Sequence, residues 1–329
     1  MRITPVKRWA ITGLVLCAWG AALAWWAPWR EPGLDQRDTG QVPSDTLEMR
    51  QATLDEQVER YQPASPVLLD DMTTPLADTL RGLPGVYRVD VALSPVKPCK
   101  RILHFLDWHY VDRDLLAKVD NRLDWDVFVN EVEATQHDQV AALKCLARLH
   151  GLKRVLIERL TEDDMPALPH KVAQLRDVWK HEPELKARLA EARQLLKDFP
   201  EGSERHGKAA ALEREFVGML AAHRADVLKM GAAVQLLVMG RLEAVLPLDD
   251  AKLLDAAGPV LPGGGRDPAA VARRENAMVR SALAAGPAAV IICGGAHNLT
   301  AAVREADGET EYYRVATRGF AKLVKVSGN

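Results

Sequence analysis

The stretch AVIICGGAH, residues 289–297, decides the fold. Its first five residues, Ala289 to Cys293, are apolar and rich in β-branched side chains, with no polar alternation. Such a run suits a strand covered on both faces, as at the centre of a parallel sheet. Gly294 and Gly295 end the strand, and Asn298 and Thr300 offer caps for a helix that follows. His297 is therefore expected at the carboxyl end of a central strand, the edge at which open α/β sheets bind ligands. A tight turn with an exposed histidine would show the same residues, so other segments must converge on this one.

The segment just upstream reads as a helix. Asp267 suits its N-cap and Pro268 its first turn. Val271, Met278, Ala282 and Ala285 share one face with Glu275 in its middle, Arg274 flanks that face, and Arg273 and Arg280 point outward. A carboxylate on the core side of a helix is costly unless paired or bound to something. Arg274 and Glu275 are thus either a structural ion pair or part of a site. Gly263 to Gly265 lack the Lys-Ser/Thr of a phosphate loop and read as a connection. Leu242–Leu246 is a candidate strand, followed by Asp249 and Asp250, which can cap a helix over 251–257 or face the cleft. Capping is the simpler reading.

Two more strands end in chemistry. Arg101–His109 reads as the first core strand, and alternation brings Asp107 and His109 out together at its carboxyl end. Arg154–Glu158 is a short apolar strand that ends in a carboxylate. Between them a helix over about 126–150 has Phe128, Val132, Leu143, Leu146 and Leu149 as its apolar stripe. Gln136 and Gln139 fall inside the stripe and His137 outside it, so Gln136 is a buried amide in need of partners. Charged, helically patterned segments over 170–198 and 209–229 form a helical insertion at about 165–230, with Gly231–Met239 continuing after a break. Glu311–Thr317 alternates in the manner of an edge strand.

The amino-terminal part differs. Arg2, Lys7 and Arg8 precede Trp9–Trp29, 21 residues without a charge that close on Trp25, Trp26 and Trp29. That length spans a bilayer and the tryptophans suit its interface. A cleaved signal segment competes, but bulky tryptophans stand where small residues should precede a cleavage site. Basic residues before the span orient the N-terminus inward, which puts the main domain outside the cytoplasmic membrane. Residues 30–84 read as a tether with a short amphipathic helix over 45–61, and the α/β domain as residues 85–329.

The 329 residues are 48% hydrophobic and carry a net charge of −2, so a core is available and no basic footprint for nucleic acid is present. Four cysteines show no zinc-like spacing and read as free thiols.

These landmarks share an order with a known group. A strand ending in His109, a strand ending in Glu158, an Arg-Glu-x-x-Met helix (Arg274, Glu275, Met278) and a strand ending in Gly-Gly-Ala-His resemble the TraB/GumN/Tiki and erythromycin-esterase/ChaN-like superfamily. The likeness covers about residues 100–305, and RRENAMVRSALAAGPAAVIICGGAHNL is its most specific part. The segment Gly231–Asp250 is similar to the group's helix–strand–Asp element, which adds Asp249 to the candidates. Two departures stand out: Leu106-Asp107-Trp108-His109 lacks the group's glycine, and Glu275 replaces its Asp or Asn.

The resemblance implies an α/β fold with a mostly parallel sheet flanked by helices, here preceded by one transmembrane helix. The reading that follows places a divalent metal on His109 and His297, with Asp107, Glu158, Arg274 and Glu275 as catalytic groups; Asp249, from the resemblance, and Gln136, as a buried amide in the helical stripe, are in support. The expected function is metal-dependent peptide or ester hydrolysis outside the cytoplasm, on an envelope protein or peptide. Alternatives are a non-catalytic module for a tetrapyrrole or metal, or a structural envelope protein, since the group includes peptidases, a macrolide esterase and a haem-binding lipoprotein.

Overall fold

The computed structural model describes residues 47–63, 65–119, 123–258 and 267–327. Six strands form one mixed sheet: β1 (Val86–Leu93), β2 (Lys100–Asp107), β3 (Arg154–Ile157), β4 (Ala244–Pro247), β5 (Ala288–Gly294) and β6 (Thr310–Thr317). Their spatial order is β1-β6-β2-β5-β3-β4. Only β1 runs antiparallel, to β6, and the other four pairings are parallel. The unalternating run in β5 has the expected cause: it lies between β2 and β3, with helices over both faces.

The helices are α1 (Leu47–Arg60), α2 (Ala77–Arg81), α3 (Arg113–Val119), α4 (Trp125–Leu149), α5 (Leu168–Asp198), α6 (Glu204–Val238), α7 (Ala251–Ala257), α8 (Pro268–Ala284), α9 (Thr300–Ala306) and α10 (Arg318–Ser327). On one face Leu103, Phe105, Val155, Val290 and Ile292 pack with Leu143 and Leu146 of α4 and Leu236 of α6. On the other, Ile102, Leu156, Ile291 and Cys293 meet Met278 and Val279 of α8 and Val303 of α9. The insertion is a long helical hairpin of α5 and α6, and Gly231 breaks α6 at a φ of 73°, where a side chain would be strained.

From β2 the chain crosses to β3 on one side, and from β5 it crosses to β6 on the other. The carboxyl ends of β2 and β5 therefore flank a topological switch point, which leaves a crevice between the diverging connections.

Two expectations need correction. Glu311–Thr317 is not an edge strand: β6 lies between β1 and β2, and all eight of its residues are buried. The edge on that side is β1, whose exposed Tyr87 and Val91 hid it among surface residues. The tether expected up to residue 84 joins the domain much earlier, because Val58, Leu69, Leu76, Leu80 and Leu83 belong to the main core. Arg101, fully buried, fastens that segment by donating to the carbonyls of Leu69, Asp71 and Thr74 while pairing with Glu311. Among the described residues no helix is long and apolar enough to cross a membrane, and Trp9–Trp29 and Gly263 to Gly265 lie outside them.

Candidate functional site

Four neighbouring strands each deliver side chains to one place. Asp107 ends β2 and His109 follows it; Glu158 follows β3, Asp249 lies just past β4, and Gly294 ends β5 with His297 in the turn beyond. Arg274 and Glu275 come from α8, which packs under β5. The turn is held by Gly295 N–H on the Asp107 carbonyl at 3.1 Å and His297 N–H on the Gly294 carbonyl at 3.0 Å.

Glu158 is the hub. Its Oε2 accepts from His109 Nε2 at 2.8 Å and from Gly294 N–H at 2.6 Å. Its Oε1 accepts from Arg274 at 2.8 Å and faces His297 Nε2 at 3.3 Å. Each histidine is held from behind by a second carboxylate: His109 Nδ1 by Asp107 at 3.2 Å and His297 Nδ1 by Glu275 at 2.9 Å. Gln139 of α4 donates to Asp107 Oδ1 at 3.1 Å and so orients that carboxylate. Asp249 takes Arg274 in a two-point grip at 2.7 Å on each oxygen, and its Oδ2 also accepts the Arg159 N–H at 2.7 Å.

Electrostatics follow from this packing. Burial opposes the charge on Glu158, but His109, His297 and Arg274 outweigh it and hold the carboxyl well below its usual range. Burial likewise opposes protonation of His297, yet Glu158 and Glu275 overcome it and push the imidazole up to about 9. His109 is raised for the same reason, with Glu158 the main opponent of burial. Burial pushes the Cys293 thiol well up, with Glu158 adding to it. His104, beneath the site, is instead pushed down to about 3 by burial and bonds Tyr312 and the Cys293 carbonyl.

Ligand atoms of Glu158, Cys293 and His297 lie within 4.8 Å of one another, a trio able to hold a metal ion. Charge also fits. The carboxylates of Asp107, Glu158, Asp249 and Glu275 lie among the charges of two guanidiniums, Arg159 and Arg274, and of two imidazoles whose nitrogens each face a carboxylate. A divalent ion that displaces one proton from His297 and one from Cys293 leaves the total charge unchanged. The carboxylate behind His297 is the usual orienting partner of a metal-bound histidine.

The candidates from sequence are thus brought together, with changes of detail. His109, expected as the second metal-ligating histidine, is not in the trio, because its Nε2 lies on the other oxygen of Glu158. It lines instead a cavity of about 220 Å³ with Asp107, Glu158, Arg159 and the Leu228–Gly231 break of α6. Arg274 does not pair with Glu275: the arginine points to Asp249 and Glu158, and the glutamate to His297. Of the two aspartates after β4, Asp250 caps α7 and Asp249 serves the site. Gln136 bonds the Leu228 carbonyl and Gln235 and touches none of the ionic groups, as a satisfied core amide does.

Sequence reading missed Cys293, Gly294, Gln139 and Arg159 as members of the site. Gly294 had a signal, a glycine at a strand end. A Cβ there would lie 3.1 Å from Glu158 Oε2 and 3.3 Å from His109 Nε2, so the close approach of both side chains needs its absence. Cys293 read only as core. Comparison with known proteins found no matching family model, no matching curated protein and no matching solved structure.

Proposed function

We propose that this protein is a membrane-anchored, metal-dependent hydrolase of peptide or ester bonds acting outside the cytoplasm. Glu158, Cys293 and His297 would hold a divalent ion, and His109 would serve as the acid–base group facing substrate. The observation that carries this reading is the trio of ligand atoms within 4.8 Å beside a pocket lined by a histidine clamped between two carboxylates. The superfamily resemblance, Trp9–Trp29 as an anchor and an envelope protein or peptide as substrate belong to the same proposal.

An ion held there supplies Lewis acidity toward a carbonyl. Thiolate and imidazole donors favour a zinc-like ion over magnesium or calcium. Arg274, gripped by Asp249, keeps Glu158 ionised and fixes its orientation. His109 holds a proton between Asp107 and Glu158 at the pocket wall, where it can be passed to a leaving group. Leu168 and Lys171 of α5 and residues 228–234 of α6 line one side of the pocket.

One observation favours a second reading, a structural or ligand-binding module without turnover. Both oxygens of Glu158 are already supplied with protein donors, so the network is satisfied by itself. Elemental analysis of the detergent-solubilised full chain separates the two. The hydrolase reading expects about one zinc-like ion per chain, lost in His297→Ala, and a sulfur-to-cobalt absorption band after cobalt exchange that Cys293→Ser abolishes. Failure to bind zinc, cobalt or manganese would leave the second reading.

A further inference from the structure

The amino edge of the sheet, opposite the site above, carries a second cavity of about 240 Å³. It lies where α4 ends before β3 and α8 ends before β5, and Asp70, His150, Lys153, Arg154 and Ala285 line it. One water needs only about 10–15 Å³, so the space admits a small molecule.

His150 is fully buried, and one of its ring nitrogens is unexplained by the fold. Nδ1 lies 2.7 Å from the Val67 carbonyl, which can only accept, so Nδ1 carries the ring hydrogen. In the neutral ring Nε2 is then a bare acceptor, and it is buried with no hydrogen-bond partner. Leaving an acceptor in that state costs stability. Loose placement is not the cause, because the backbone is tied on both sides. His150 N–H donates to the Leu146 carbonyl and Leu69 N–H to the His150 carbonyl, each at 3.0 Å.

The groups around the cavity favour a donor that is also a cation. Asp70 is exposed at the cavity wall, and its carboxylate has no partner among the described residues. The carbonyls on either side of it, Leu69 and Asp71, are both held by Arg101, which fixes its position. Two long helices, α4 and α8, end at the cavity, and their last carbonyls carry partial negative charge. Both cations on the wall already have an acceptor: Lys153 pairs with Glu243 at 3.0 Å, and Arg154 donates to the Ala285 carbonyl at 3.3 Å. Lys100 of β2 likewise donates to the Leu283 carbonyl in the last turn of α8. The side chains left over, His150 and Asp70, are both acceptors. A metal ion fits less well, since among the described residues the trio around Glu158 is the one group of three ligands close enough to hold one.

We infer that this cavity is a binding site for a small primary ammonium compound, whose N–H groups donate to His150 Nε2 and to Asp70. The inference is independent of the hydrolase reading, which concerns the opposite edge of the sheet.

Calorimetry on the detergent-solubilised full chain tests it with putrescine, ethanolamine and tetramethylammonium. Putrescine or ethanolamine is expected to bind, whereas tetramethylammonium, which has the charge without an N–H, should not. Asp70→Asn should weaken amine binding by about 10-fold or more, the loss of a charge-assisted hydrogen bond. His150→Asn places an amide nitrogen where Nδ1 stands and removes Nε2, and should weaken binding to a similar degree. Should that variant fail to fold, Asp70→Asn and the tetramethylammonium comparison decide the matter by themselves. Absence of binding by both amines would leave only an ordered water for Nε2 and overturn the inference. So would amine binding unchanged in Asp70→Asn or in folded His150→Asn, or tetramethylammonium binding as tight as that of the amines.

Discussion

Arg101 and Arg274 are both buried and both pair with a carboxylate, at opposite ends of the same sheet. Arg101 enters at the amino end of β2, opposite Glu311 in the register with β6, and spends its remaining donors on three backbone carbonyls of residues 69–74. Its hydrogen-bond partners among the described residues are Glu311 and those carbonyls, which fasten the segment before β1 to the sheet. Arg274 sits at the carboxyl end, and its carboxylate partner Glu158 is shared with two histidines and a glycine N–H beside a pocket. The difference teaches that a buried ion pair by itself says little about function. What marks a site is convergence of further groups from separate strands on the same carboxylate, at the edge where the connections diverge.

The largest effect should come from the structural end. Arg101→Leu strands Glu311 as a buried charge and releases three carbonyls, so it is expected to cost about 3–5 kcal/mol in urea unfolding. Metal binding by the folded fraction should persist. A loss under about 1 kcal/mol would show that the two ends are not different in kind.

The pH dependence of stability sharpens the contrast. His297 has a folded-state value of about 9, above the usual value of about 6.5 for an unfolded histidine. Its contribution is therefore fully present below pH 6.5 and lost as pH rises through 9. Metal-free protein should lose at most about 3 kcal/mol between those limits. Saturating zinc should remove the slope, since the ion takes the place of the proton. His297→Asn should flatten it as well. A slope that survives in that variant would place its origin elsewhere.

The smallest change in stability, and the most telling, is expected for Glu275→Gln. The carboxylate is partly exposed, and an amide oxygen can still accept from His297 Nδ1, so unfolding should shift by about 1 kcal/mol or less. Metal affinity should nonetheless fall by about 10- to 100-fold, because the orienting charge behind the imidazole is gone. Several kcal/mol lost with metal affinity intact would make Glu275 a structural residue like Glu311.

Much of this was written in local pattern. β2, β3 and β5 were legible as apolar runs, α4, α5 and α8 as helical periodicities, and the broken α6 as a helix interrupted at a glycine. The side chains that end those strands, Asp107, Glu158 and His297, were legible with them, because a strand's length and direction place its last residues. β1 was not: half exposed and irregularly paired, it has no clean alternation. The membership of residues 58–83 in the core was hidden because their apolar residues are scattered among prolines and turns, and only the core they meet organises them.

The sequence by itself determined an α/β domain with chemistry at the carboxyl ends of its central strands, because backbone periodicity and side-chain burial are local properties of the chain. The tertiary structure alone decided who pairs with whom. Arg274 and Glu275 are neighbours in sequence, yet successive helical residues point about 100° apart, so one reaches Asp249 and Glu158 and the other His297. For a similar reason it is Cys293, not His109, whose ligand atom lies within 4.8 Å of those of Glu158 and His297. Which atoms come within bonding distance at a strand edge depends on the stagger of β2, β5 and β3, and that stagger is set by packing across the whole sheet.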